Sequence, residues 1–547
     1  MFFRHLTKSG NRYIIIHIFI SPHRKESYMK IVTSVFVVSL GYPKENAKKM
    51  TEIMEHNEGD IYLFPAYSLT GSSAGELYEF PEFKTQTEAA LDSLCEFSEK
   101  TGKIIVTSVP YHENVIIKDG ILAGKSHFEL EGKTVAVSEN GNEDDFDVLL
   151  LPTIMPGYPC IQNDIIEYCM RASGAKNCVV AVANGGFGES SADNVYKGFC
   201  GVFNKGITVS FTSQDAPETI VATADHTKDT GLIYTRQKVA DYKIPYYGKN
   251  DKKRYLEELF SLQTQALYMR LVNTGIKKAV INVSGGLDST MALLVAENTF
   301  KMLGYPVSDI TALTLPCFST SSRTNKNAKK LMELLGVNAK EINIKDSILQ
   351  HFKDIGHDAE TADVTYENAQ ARERAQILFD VANQQNALAL GTGDLSEAAL
   401  GFATYAGDTL CHYNVNATVP KTVMRELVAH IAKKRGGELE KTLLDIVDTP
   451  VSPELKDGQK TEDILGPYIL HDFIIYYFAK HKFPRSEIQK YMLATFDEYD
   501  DDTINAALDT FYSRYYKNQF KRSSACEGAN LIGFTLPYMP ADMKPLA

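Results

Sequence analysis

The sequence predicts an α/β protein whose carboxyl-terminal half is a doubly wound parallel sheet. Three observations carry that prediction. Short β-branched and apolar runs alternate with longer stretches of helical periodicity from residue 29 onward. Strand-helix-strand repetition is regular between residues 278 and 344, as in crossover units on a parallel sheet. At residues 284–286 a Ser-Gly-Gly turn joins an apolar strand to an amphipathic helix, where such sheets hold ligands.

Residues 1–28 read as an extension ahead of the first domain. Arg4, Lys8 and Arg12 precede the apolar stretch 13–20, which His17 interrupts, and no small-residue cleavage site follows. Met29 and Lys30 open a buried strand over 31–38, followed by strands at 61–64, 103–108, 134–137, 148–151 and 179–183. Helices at 44–56 and 87–100 sit between some of them. A polar, turn-rich stretch over 224–251, containing Pro245 and Gly248, breaks this rhythm and reads as an interdomain connection. Leu256, Leu259, Phe260, Leu267 and Leu271 then recur at helical spacing, and Gly275 stands where a helix cap belongs. Strand 278–283, helix 289–303, strand 309–315, helix 325–335 and strand 340–344 follow. The acidic run 497–502 reads as a solvated loop or helix edge.

Composition narrows the function classes. The 547 residues, 44% hydrophobic and 23% charged, suit two or three globular domains. Lys+Arg 57 against Asp+Glu 69 gives a net charge of −12, so no global basic field draws the chain to nucleic acid or a membrane. Anionic ligands need a local site. No apolar run approaches the ~18 residues that span a bilayer. Eight cysteines without regular spacing form neither a disulfide framework nor a zinc module, which points to a reducing, cytoplasmic setting.

The string Ser284-Gly285-Gly286-Leu287-Asp288-Ser289-Thr290 holds the clearest chemistry. Its glycines permit a tight turn and close ligand approach. Free N–H groups at the helix start, with Ser and Thr hydroxyls, suit phosphate oxygens. Asp288 would repel phosphate unless it ligates Mg²⁺, which takes carboxylate and phosphate oxygen together. A second cluster follows strand 387–390: Gly391, Thr392, Gly393, Asp394, Leu395, Ser396 and Glu397. Thr392 suits a nucleotide hydrogen bond, Glu397 the Mg²⁺ shell, and Lys421, farther on, phosphate neutralisation. Walker-type and dinucleotide fingerprints are absent.

The first string resembles the pyrophosphate loop of the ATP pyrophosphatases. Residues 366–374, 391–401, 404–408 and 413–422 more closely resemble NAD synthetases of the glutamine-dependent type, as do 315–324 and 461–473. The resemblance implies ATP-dependent adenylation of deamido-NAD with release of pyrophosphate, then displacement of AMP by ammonia to give NAD. It assigns ATP to Ser284, Gly285, Gly286, Leu287, Asp288, Ser289, Thr392 and Lys421. It assigns Mg²⁺ to Asp288 and Glu397, and deamido-NAD to Asn368, Arg372 and Lys521. It also implies a homo-oligomer. The expected organisation is extension 1–28, a carbon-nitrogen hydrolase-like domain 29–223, a linker 224–254 and a synthetase domain 255–547. The corresponding fold is a nitrilase-like α-β-β-α sandwich followed by the doubly wound ATP pyrophosphatase domain.

The hydrolase resemblance is incomplete at the chemistry. Release of ammonia from glutamine needs a carboxylate base, an oxyanion-stabilising lysine and a cysteine nucleophile. The segment 63–71 resembles the one that carries the glutamate, but Ala66 holds that place. Ser138 stands where the cysteine is expected, and Lys125 is the match for the lysine. Cys160 reads as a structural thiol. The expectation is therefore an inactive amidase domain, with free ammonia or ammonia from a separate protein as nitrogen donor. Two competing readings are an active glutamine-dependent enzyme with its hydrolase residues elsewhere and a regulatory pseudoenzyme that only binds nucleotide. The complete set Asp288, Thr392, Glu397 and Lys421 argues against the pseudoenzyme. The absence of a basic face and of zinc-type cysteine pairs argues against a tRNA-modifying relative.

Overall fold

The computed structural model describes residues 29–123, 126–138, 146–225, 243–318, 322–450, 455 and 461–539. The expected extension 1–28 and Lys125 lie outside them. In chain order the first strands are β1 (Lys30–Val35), β2 (Ile61–Ala66), β3 (Ile104–Val109), β4 (His112–Lys118), β5 (Ile121–Ala123) and β6 (His127–Leu130). Next come β7 (Lys133–Val137), β8 (Val148–Thr153), β9 (Val179–Asn184), β10 (Phe199–Asn204), β11 (Ile207–Ser213) and β12 (Ile220–Asp225). They form two six-stranded sheets, ordered β12-β1-β2-β3-β4-β5 and β11-β10-β9-β8-β7-β6. Each has a parallel centre and antiparallel flanks.

Helices α1 (Pro43–His56) and α2 (Pro81–Thr101) cover the outer face of the first sheet, and α3 (Ile161–Lys176) covers the second. Strand residues alternate between faces, so Val32, Tyr62 and Ile105 meet the helices while Ile31, Ile61 and Ile104 meet Val135, Val148 and Ala181 of the facing sheet. The result is the α-β-β-α sandwich. The hairpin strands β4 to β6 and β10 to β12 were not among the expected strands.

The second half is built on β13 (Ala279–Asn282), β14 (Ile310–Thr314), β15 (Asn338–Glu341), β16 (Leu388–Gly391) and β17 (Tyr413–Asn414). Their order, β15-β14-β13-β16-β17, is parallel throughout. One face packs against α4 (Lys252–Thr274) and α5 (Leu287–Leu303). Helix α6 (Ser322–Leu335) packs on that same face, while α7 (Lys345–Ile355) and α8 (Val364–Gln385) cover the opposite one. Helices α9 (Leu395–Leu400) and α10 (Lys421–Arg435) follow β16 and β17. The order reverses between β13 and β16, which leaves a crevice at their carboxyl ends.

Two boundaries differ from the expected linker 224–254. Strand β12 runs to Asp225 because it pairs antiparallel with β1, and α4 starts at Lys252 because the Asp251 side chain accepts from the Arg254 N–H. Such a cap contributes about 1 kcal/mol. Helix α4 ends at Gly275 with φ +70, the left-handed cap expected there. The acidic run becomes the start of a helix, Asp501–Lys517, with Asp500 accepting from the Thr503 N–H. Among the described residues no helix is long and apolar enough to cross a membrane.

Candidate functional site

The crevice at the carboxyl ends of β13 and β16 opens into a cavity of about 880 Å³. The turn from β13 to α5 forms one wall. Gly285 has φ +86, and a Cβ there would stand 2.1 Å from the Thr324 carbonyl oxygen, so only glycine fits. The Gly286 N–H donates to Ser284 Oγ at 3.2 Å, and the Ser284 and Ser289 hydroxyls lie 3.2 Å apart. Ser284, Asp288 and Ser289 line the cavity, with Thr392 and Glu397 across from them. Fully buried Asn416 ties the two walls together: its Nδ2 donates to the backbone oxygens of Asp288 and Thr392, each at 3.0 Å.

The expected cation is differently engaged than the sequence suggested. Lys421 is buried at the first position of α10, an end where the helix dipole disfavours positive charge. Three carboxylates offset that cost: its Nζ lies 2.7 Å from Asp288, 2.9 Å from Asp394 and 3.0 Å from Glu397. Burial pulls the ammonium toward deprotonation, and the three carboxylates outweigh it, holding Lys421 well above its ordinary value. Burial likewise drives Asp394 well above the usual carboxylate range and Glu397 up to about 7, with Lys421 opposing. Asp394 also caps α9, its Oδ1 accepting the Glu397 N–H at 2.8 Å.

One oxygen from each of Asp288, Asp394 and Glu397 lies within 4.8 Å of the others. Three hard carboxylate donors facing a phosphate-type turn fit Mg²⁺. Asp394, which the sequence reading did not place in the expected pair, thus lies beside it. The signal was present as an acidic pair three residues apart, which one helical turn brings to one side. Beneath this group, buried Asp472 accepts from Ser396 Oγ and from the N–H and hydroxyl of Thr422. Ser396 Oγ in turn accepts the Lys421 N–H at 2.9 Å. Asp472 therefore anchors the starts of α9 and α10 together, a role that its sequence neighbours do not disclose.

Asn368, Arg372 and Lys521 line the far end of the cavity with Tyr405 and Phe520. Asn368 Oδ1 accepts from Thr404 Oγ1 at 2.9 Å, and Arg372 Nε donates to the Tyr405 carbonyl at 3.3 Å. Lys521 Nζ donates to the carbonyls of Gly401 and Ala403 at 2.9 and 2.7 Å. Burial pulls this lysine below its ordinary value. All three thus brace the 401–405 loop. Asp408, missed from the sequence, accepts the Thr404 N–H at 2.6 Å in the same loop.

In the amino-terminal sandwich, Ala66 ends β2 at 2% exposure, and Ser138 follows β7 at 8%. Pro65 cannot donate to the ladder, and the β2–β3 register shifts there before Ala66 pairs with Ser108. Tyr67 then turns the chain at φ +59. Cys160 is fully buried at the start of α3, and its N–H donates to Glu258 of α4 at 2.8 Å, as befits a structural residue.

A family model described as NAD synthase matches residues 260–525. A glutamine-dependent NAD(+) synthetase of Mycobacterium leprae is 39% identical over 302 residues, covering 50% of this chain. The chain spans only 44% of that relative's length. An NH(3)-dependent NAD(+) synthetase of Fusobacterium nucleatum is 31% identical over 211 residues, or 39% of this chain and 75% of the relative. The crystal structure of a glutamine-dependent NAD(+) synthetase from Cytophaga hutchinsonii superposes with a TM-score of 0.75 at 17% identity, covering 94% of this chain and 98% of that one. That last likeness is one of fold.

Proposed function

The chain belongs to the NAD synthase family, and from that premise we propose that it amidates deamido-NAD to NAD at the expense of ATP. The observation that carries this reading is the meeting, in one crevice, of the Ser284–Ser289 turn with the carboxylates of Asp288, Asp394 and Glu397. The N–H groups at the start of α5 and the hydroxyls of Ser284 and Ser289 bind phosphate oxygens. Asp288, Asp394 and Glu397 would hold Mg²⁺, which when bound would spread the negative charge that builds at the α-phosphate and on the departing pyrophosphate. Lys421 fixes those three carboxylates in place and supplies positive charge beside them.

Arg372, Asn368 and Lys521 keep the 401–405 loop shaped for the deamido-NAD end of the cavity. The nicotinate carboxylate oxygen attacks the α-phosphorus of ATP, and pyrophosphate leaves. Ammonia then attacks the acyl carbon, AMP leaves with the C–O electron pair, and the nitrogen loses a proton. The mixed anhydride must be shielded from water between these steps, and the enclosing 401–405 loop suits that task.

The nitrogen is taken as free ammonia or from a separate supplying protein. Ala66 cannot accept a proton, and a serine hydroxyl at 138 is a far weaker nucleophile than a cysteine thiolate. The relatives' names point both ways, one to glutamine and one to ammonia; the residues at 66 and 138 favour ammonia here. The sandwich then serves folding and assembly, and Tyr413 Oη, which donates to the Ser191 carbonyl at 2.8 Å, links it to the sheet that holds the site. Pyrophosphate release tests the synthetase reading. Release should require deamido-NAD, ATP and Mg²⁺, with ammonium needed for continued turnover, whereas release without deamido-NAD, or none at all, would refute it.

A further inference from the structure

All eight cysteines are unbridged, and two of them meet beside the cavity. Cys411 precedes β17, and Cys526 lies 115 residues later, beyond the short helix Gln519–Ser523. The Cys411 N–H donates to Cys526 Sγ at 3.0 Å, and the Cys526 thiol faces the Thr409 carbonyl at 3.5 Å. Cys411 is buried, while Cys526 is partly exposed between exposed Ala525 and Glu527. Neither thiol has a part in the proposed reaction.

Their surroundings connect them to the site. A Cβ built on Gly391, the last residue of β16 and the neighbour of Thr392, would stand 2.5 Å from Cys411 Sγ. Leu410 on one side, and Phe520 and Lys521 on the other, line the cavity. The Asn414 N–H donates to the Glu527 carbonyl at 2.8 Å, so the segment around Cys526 is laid against β17.

We propose that Cys411 and Cys526 are a redox-active thiol pair, converted by a small-molecule disulfide into a reversible intrachain disulfide that impairs substrate binding in the adjoining cavity. Cys526, the reachable member, attacks one sulfur of the small disulfide. A mixed disulfide forms and one small thiolate leaves. Cys411 then attacks Cys526 Sγ and expels the second small thiolate. The protein pair loses two electrons and two protons, and the small disulfide gains both as two thiols.

The acidities match these roles. The neighbouring Cys411 thiol, opposed by burial and aided by the Cys411 N–H, brings Cys526 down to about 6, toward the reactive thiolate. Cys411, beside Cys526 and buried, is pushed upward. It reacts only once a disulfide is held against it. A disulfide bond, about 2.05 Å long, is far shorter than a hydrogen bond between thiols. Forming it draws the Cys526 segment and the 410–411 turn together, displacing the cavity walls they carry.

The test uses the full chain, reduced and then freed of reductant, incubated with oxidised glutathione. Expected are the loss of two thiols, a linked pair of peptides containing Cys411 and Cys526, and reversal by dithiothreitol. The Cys526→Ser chain should form no such link, and Cys411→Ala should stop at a glutathione adduct on Cys526. Calorimetry should register deamido-NAD binding weakened by about tenfold in the linked protein, the loss of one hydrogen bond to a charged group. No linked peptide, a different pair, a lasting glutathione adduct on the unsubstituted chain, or a linked protein that binds deamido-NAD unchanged would overturn the proposal. The binding arm rests on the NAD-forming reading, whereas the linked peptide does not. A reduced protein that binds no deamido-NAD refutes that reading and, with it, the claimed effect on binding, while the peptide map still decides whether the pair is redox-active.

Discussion

The Lys421 ammonium lies 2.7 Å from the Asp288 carboxylate, although 133 residues separate them. With Asp394 and Glu397 completing the ring around it, this one buried cation holds the starts of α5, α9 and α10 in register. Breaking a buried ion pair by removing one partner costs about 3–5 kcal/mol, because the charge left behind is uncompensated. Lys421→Met should therefore lower the unfolding free energy by that order and abolish NAD formation. The three stripped carboxylates should also draw a divalent cation more strongly. Thermal melts with and without Mg²⁺ check this: the Mg²⁺-induced rise in Tm should be larger for the variant than for the unsubstituted chain.

Gly285 and Gly286 should respond unequally to alanine. At Gly285 a Cβ would collide with the Thr324 carbonyl at 2.1 Å, and φ +86 adds left-handed strain of roughly 1–2 kcal/mol. At Gly286 φ is −85, and the nearest atom, Ser284 Oγ, is 3.3 Å away on a side chain that can rotate. Gly285→Ala should lose both stability and ATP affinity, and Gly286→Ala much less of either. Urea denaturation and nucleotide titration of the two variants measure the contrast.

His471 should impose a pH slope on stability. It is fully buried, its Nε2 donates to the Leu465 carbonyl at 2.7 Å, and burial lowers it from 6.5 to about 4. The unfolded chain therefore binds more protons than the folded one between those values. Its contribution is fully present above pH 6.5 and is lost as pH falls from 6.5 toward 4. The full difference is roughly 3 kcal/mol. His471→Gln should flatten that part of the profile, as the difference between variant and unsubstituted chain in denaturation at pH 7 and pH 4.5 would reveal.

How legible the site was depended on whether its chemistry was local. The Ser284–Ser289 turn could be read because glycines, hydroxyls and a carboxylate stand together between a strand and a helix. The parallel sheet could be read because its buried strands are short apolar runs. Lys421 was found as a cation but assigned to phosphate, since its carboxylate partners come from separate segments that only the fold brings together. Asp472 was hidden for the same reason: it braces Ser396 and Thr422 from 76 and 50 residues away. The hairpin strands escaped because strands such as β11 are half-exposed and lack a continuous apolar run.

The nitrogen source is the central claim, and isotopic labelling tests it most directly. The chain is given ATP, Mg²⁺ and deamido-NAD with either ¹⁵N-ammonium or glutamine labelled at the amide nitrogen, the latter with free ammonium scavenged. The missing carboxylate at Ala66 and the serine at 138 predict label in the NAD carboxamide from ammonium and none from glutamine. Label arriving from glutamine under those conditions would contradict it.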